Sequence, residues 1–165
     1  MRQGKIVRVT GHESSDEDGF GDQIDEKTLL RCAQKLVKRK EYKEARNIYG
    51  NILSKKGICD EHRALYSDPN LTARDKLHII RSSLGKAKCH LRMSEYSETV
   101  SSISKCIGLM NESSHYNKVH AYQLLGASYL MLMEYRASLF VCLYGLTQFN
   151  EDEKLLTIQN YILSR

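Results

Sequence analysis

Between His120 and Phe149 the chain reads HAYQLLGASYLMLMEYRASLFVCLYGLTQF, and this stretch constrains the fold most. Tyr122, Leu125 and Tyr129 recur at three- and four-residue steps, so they share one face of a helix. Gly126 removes a side chain where a partner helix presses closest. Past a turn at Glu134–Tyr135, Ser138 does the same from the returning helix. A short helix pair of this kind cannot hide its apolar side alone, so further pairs must stack on it.

The same order recurs upstream. Asp25 can cap a helix running to about Arg39, with Glu26 near its positive end and Leu29, Cys32, Ala33 and Leu36 on its inner face. Lys40-Glu41 turns the chain, and Tyr42, Ala45, Tyr49 and Ile52 line a second helix that closes near Lys55-Lys56-Gly57. Residues 57–71 break the pattern, with a turn signal at Ser67-Asp68-Pro69-Asn70. From about Thr72 to Met93, Leu77, Ile80, Leu84, Ala87 and Leu91 restore it. After Ser94-Glu95, the residues Tyr96, Val100, Ile103, Cys106 and Ile107 form the return helix. Two registers fit this second unit. Counting back from Tyr96 puts Ser83 and Lys86 at normally apolar positions, and matching Leu84-Gly85 to Leu125-Gly126 shifts the frame by two. A third pair covers about Ser114–Met133 and Tyr135–Phe149. Asn150 with Glu153 then reads as a capping box for a last helix, whose Leu155, Ile158 and Ile162 would cover the open end. Leu156 and Leu163 are left over, which permits a homodimer contact.

An aromatic, Leu-Gly and a second aromatic, then a small residue beyond the turn, resemble a tetratricopeptide (TPR) unit in the segment from Tyr122, and Leu29, Ala33, Leu36, Tyr42, Ala45 and Tyr49 follow the same order upstream. The resemblance implies an all-α, right-handed TPR-like superhelix of three helix pairs plus a C-terminal capping helix. It also implies protein binding without chemistry. The turn tyrosines Tyr42, Tyr96 and Tyr135 lie 54 and 39 residues apart, against about 34 for a simple repeat. A long link between first and second units resembles the TPR regions of immunophilin co-chaperones.

Charge is uneven. Residues 1–27 hold four Lys/Arg against seven Asp/Glu, a net of −3, which leaves +8 on the remainder of a chain whose total is +5. We expect a disordered acidic tail over residues 1–24 and one helical repeat domain over 25–165. Ser14 and Ser15 each precede an acid by three residues, which suits acidophilic kinases. The segment KIVRV at 5–9 could pair as a strand, though no second strand lies nearby. The longest apolar run is cut by Gln123, Glu134, Arg136 and Gln148, so no membrane span is expected. The first residues lack an apolar signal segment, and five cysteines at irregular spacing read as reduced thiols. A cytoplasmic or nuclear location follows as an expectation.

First-helix side chains of stacked pairs face a concave surface. In this frame Lys27, Leu30, Gln34 and Lys38 come from the first unit, Arg81, Leu84, Lys88 and Arg92 from the second, and His120 and Gln123 from the third. These rows carry cations and apolar patches but no acids, which favours an acidic peptide with hydrophobic anchors. The expected function is a non-enzymatic adaptor or scaffold that binds an acidic or acid-flanked segment of a protein partner. TPR co-chaperones grip the acidic tail of heat-shock chaperones through a carboxylate clamp. Here the clamp positions fall on Leu30, Gln34, Gly85, His120 and Leu124, none of which keeps the clamp residue, so that tail is disfavoured.

The alternative reading is an RNA-binding helical repeat using the basic surface. Its groove would lack stacking aromatics, since the tyrosines occupy packing positions. An enzyme is not expected: there is no GxGxxG, GxxxxGK[ST], HExxH or GxSxG, and the histidines read as scattered helix-surface residues. Cys59-x2-His62 has metal-like spacing but no second pair, so neither metal nor cofactor is expected. Residues 13–26 could also compete with an acidic partner for the protein's own groove.

Overall fold

The computed structural model describes residues 24–57, 70–112 and 115–165. The expected acidic tail with Ser14 and Ser15, the KIVRV segment, and Cys59 with His62 lie outside these residues. Among the described residues the protein is all-helical, with no strand. The helices are α1 (Glu26–Lys38), α2 (Tyr42–Lys55), α3 (Ala73–Arg92), α4 (Tyr96–Cys106), α5 (His115–Met131), α6 (Tyr135–Gln148) and α7 (Glu153–Leu163), with a 3-10 turn at Ile107–Glu112 after α4.

Three turns repeat one geometry. Lys40, Ser94 and Met133 each adopt the left-handed conformation, with φ of 63°, 61° and 61°. The backbone N–H of the next residue, Glu41, Glu95 or Glu134, donates 2.9 Å to the carbonyl of Leu36, His90 or Tyr129. A second bond in each turn runs from Lys40, Ser94 or Met133 to Val37, Leu91 or Leu130. These paired bonds satisfy the last carbonyls of α1, α3 and α5 and send the chain straight into the next helix. The turns are spaced as the tyrosines are, so they select the register counted from Tyr96.

In that register the helix crossings coincide. Seven residues before each turn stand Ala33, Ala87 and Gly126, and five after it stand Ala45, Thr99 and Ser138; all six are buried. At the third crossing Ser138 Oγ donates 2.7 Å to the Gly126 carbonyl, and a Cβ on Gly126 would lie 2.9 Å from Cys142 Sγ. Tyr122 meanwhile packs beside Gly145, so α5 and α6 run antiparallel. Leu84-Gly85 is therefore not the counterpart of Leu125-Gly126. Gly85 faces the preceding α2, where its absent side chain makes room for the Tyr49 ring.

Two hydrophobic clusters share α3. Leu30, Ala33, Ala45, Tyr49, Ile52 and Cys89 form the first; Ile80, Leu84, Ala87, Ile103, Cys106, Met110 and Ala121 belong to the second, with Leu124 and Leu125. Because α3 packs against α1, α2, α4 and α5, nine of its residues are buried. A helix covered on several sides shows no single apolar stripe, which is why Ser82 and Ser83 stand where a one-sided helix would carry large side chains. Cys32, expected on the inner face of α1, is exposed, and Leu30 takes its place in the core. Burial pushes the Cys89 and Cys142 thiols up to about 11 and Cys106 to about 12, so all three act as small apolar groups.

Two helix starts differ in detail from expectation. Asp25 holds the N-cap position of α1 without a side-chain capping bond. The N-cap of α7 is Asp152, not Asn150, and its Oδ1 accepts 2.9 Å from the Leu155 N–H. Leu155 is fully buried, Ile158 reaches Gly126, and Leu163 is exposed.

The histidines of α3 are not surface residues. His78 and His90 are each 7% exposed, and each holds a carboxylate. His78 Nδ1 lies 2.6 Å from Glu26 Oε2, and His90 Nδ1 lies 2.5 Å from Glu95 Oε2. Lys56 bridges Glu26, at 3.0 Å, and Asp75, tying the ends of α1, α2 and α3 together. Burial alone would raise the Glu26 carboxyl, but hydrogen bonds and charge from His78 and Lys56 outweigh it and hold the group below its ordinary value. The His90 hydrogen bond does the same for Glu95, with Arg46 contributing. The Asp75 hydrogen bond raises Lys56.

A pH dependence follows. A depressed carboxyl contributes stability above its unfolded pKa, ordinarily 4.5 for glutamate, and that contribution is lost as pH falls through the folded value. A raised lysine contributes below 10.5 and loses it as pH rises through its folded value. Thermal stability should therefore hold a plateau between these ranges and fall at both ends. Glu26→Gln should flatten the acid limb measured by circular dichroism; an unchanged acid slope would count against the Glu26 pairs as its source.

Candidate functional site

Odd-numbered helices touch their odd-numbered neighbours, α1 with α3, α3 with α5 and α5 with α7. No comparable contact joins α2 to α4 or α4 to α6 among the described residues. The odd helices therefore line a common side, and the even helices stand apart on the other.

On the common side, α3, α5 and α7 enclose a cleft of about 450 Å³. From α3 come Lys88, Leu91 and Arg92, which share a helix face by their spacing. From α5 come His120, Gln123, Leu124 and Ala127, and from α7 Glu153, Lys154, Thr157 and Ile158. Gln123 Nε2 donates 2.8 Å to Asp152 Oδ2, which ties α5 to the start of α7 and fixes the cleft mouth. Lys88, Arg92 and Lys154 form no ion pair among the described residues. Burial pushes His120 below its ordinary value, and the charges of Lys88 and Lys154 add to the shift against a hydrogen bond with Gln123. Both effects disfavour His120 as a fourth cation, and Lys88, Arg92 and Lys154 against Glu153 set the field of the cleft. The expectation of an acid-free surface is corrected here, since Glu153 lines it.

Of the ten residues expected to bind a peptide, Lys88, Arg92, His120 and Gln123 meet in this cleft. Leu30 and Leu84 do not serve as apolar pockets: they are 5% and 4% exposed, each inside a core cluster. Their helices carry neighbours on two sides, which turns both side chains inward. Lys27, Gln34 and Lys38 are exposed on α1, and Arg81 is exposed two turns before Lys88; none of the four lines the cleft. The sequence reading does not include Lys154 and Thr157 and places Ile158 only against the open end of the last pair, because α7 reads as a cap with a spare dimer contact rather than as a wall of the cleft. The signal was available: Lys154 and Ile158 are four apart, on one helix face.

Among the described residues no group of three or more His, Cys, Asp and Glu is placed to hold a metal ion. No described helix is long and apolar enough to cross a membrane. No protein-family model matches the chain, and no curated protein matches it.

Proposed function

We propose that this chain is a TPR-like right-handed superhelix, three helix pairs closed by α7, that works as a non-enzymatic adaptor. Its cleft between α3, α5 and α7 takes an acidic or acid-flanked peptide of a protein partner. The three matching turns and the small residues at the three crossings support the repeat architecture. The observation that carries the function is the pairing of Lys88, Arg92 and Lys154, which have no ion partner among the described residues, with an apolar floor of Leu91, Ala127 and Ile158. Charge steers such a ligand in and apolar anchors hold it. Apart from His120 the cleft is lined by no aromatic ring, which weighs against RNA bases stacking there.

The test uses fluorescence anisotropy with a labelled peptide alternating Asp or Glu with Leu, beside an oligouridine of equal charge. The peptide should bind. Lys88→Glu with Arg92→Glu should cost about 1 kcal/mol each, roughly thirtyfold in Kd together. Wild-type affinity in that double variant would remove the assignment of the site, and tighter binding of oligouridine would favour the nucleic-acid reading.

A further inference from the structure

The three returning helices offer an internal comparison. Seven, ten and eleven residues after the left-handed turn residue, α2 presents Asn47, Gly50 and Asn51. At the same positions α4 presents Ser101, Ser104 and Lys105. In α6 the row becomes Phe140, Leu143 and Tyr144. On α2 and α4 most of these residues line a polar, water-facing cleft, so polar side chains are what the position ordinarily takes. On α6 the three are 70%, 46% and 49% exposed. Phe140 and Tyr144 stack with centroids 6.4 Å apart and planes 15° from parallel, and Tyr122 braces Tyr144 edge-on at 5.6 Å. This is a preformed aromatic surface that a ligand need not order.

Among the described residues, Tyr122 of α5 braces one side of Tyr144, and the outer face of the row stays uncovered. From Ala137 to Phe149 the chain carries no charged residue, so its partner must offer an uncharged apolar strip of similar length. The row itself is such a strip. Arg136 lies four residues before Phe140 on the same face, and Glu151 follows the far end of the helix. Reversed against itself, α6 sets the Arg136 of each copy beside the negative C-terminal end of the other, where Glu151 lies. A strip with a cation at one end and an acid at the other is complementary to its own antiparallel image.

We propose that two copies of this chain pair through α6, row against row and antiparallel, about a two-fold axis. The contact stands on the side away from the α3–α5–α7 cleft, so it leaves each cleft open and makes the assembly bivalent. It differs from the contact at Leu156 and Leu163 that the sequence permits, and it does not depend on what the cleft binds.

Sedimentation velocity of the full chain over a concentration series tests it. The wild type should dimerise. Phe140→Asn with Tyr144→Asn, the residues α2 uses at these positions, should raise the dimer Kd on the order of tenfold or more while the helical circular dichroism stays unchanged. Arg136→Glu and Glu151→Arg should each weaken the dimer, and the two together should restore it. A wild-type chain that stays monomeric overturns the proposal, whether or not some other protein occupies the row. So does a dimer that the Phe140 and Tyr144 substitutions leave intact, and so does a charge swap that fails to rescue.

Discussion

Replacing Gly85 with alanine is expected to destabilise the fold by about 1–3 kcal/mol, although alanine is the better helix former by about 1 kcal/mol. A Cβ at this position would lie 2.3 Å from Cζ of Tyr49 and 2.6 Å from each of its Cε atoms. An exposed ring could swing aside, but Tyr49 is 4% exposed, and burial pushes its phenol up to about 12. Any shift of the ring disturbs the cluster that holds Leu30, Ala33, Ile52 and Cys89. Tyr49→Leu shortens the offending side chain. It should be destabilising by itself, yet should remove most of the added penalty of Gly85→Ala. Urea unfolding of the four chains gives the coupling. Two substitutions that simply add, within about 0.5 kcal/mol, would mean that the ring does not fix glycine at this position.

Ile103→Ala is expected to cost about 2–5 kcal/mol, the range for truncating a fully buried aliphatic side chain. Ile103 sits on α4 in the cluster with Ile80, Leu84, Ala87, Met110 and Ala121, so the cavity would open between α3, α4 and α5. In a chain of stacked pairs the damage should be greatest next to the cavity. Amide exchange should rise most in α4 and in the parts of α3 and α5 that face it, and least in α1. Leu163→Ala, at a side chain 64% exposed, serves as control and should change stability by less than about 0.5 kcal/mol. Equal losses from Ile103→Ala and Leu163→Ala would contradict the burial on which the second cluster rests.

The first and third helix pairs were legible because their crossing residues are small and stand at the same distances from the turn. Ala33, Ala45 and Tyr49, and Gly126 with Ser138, recur at helical spacing and lie buried where that spacing puts them. The second pair was ambiguous for a physical reason. α3 belongs to both clusters, so its small residues meet several neighbours, and Leu84-Gly85 imitates a crossing motif that actually sits at Ala87 and Thr99. The site was legible only in part. Lys88, Arg92, His120 and Gln123 converge, but Leu30 and Leu84 turn inward, and Lys154 and Ile158 arrive from a helix that reads as a cap.

Helix number, turn positions and the small residues at the first and third crossings were determined by the sequence alone, because they follow from local spacing and from side-chain volume along one chain. Tertiary structure alone decided which carboxylates the buried histidines hold, where Gly85 points, and which charges share a cleft. Those facts depend on the rotation of each helix against neighbours distant in the chain, and no local periodicity encodes that rotation.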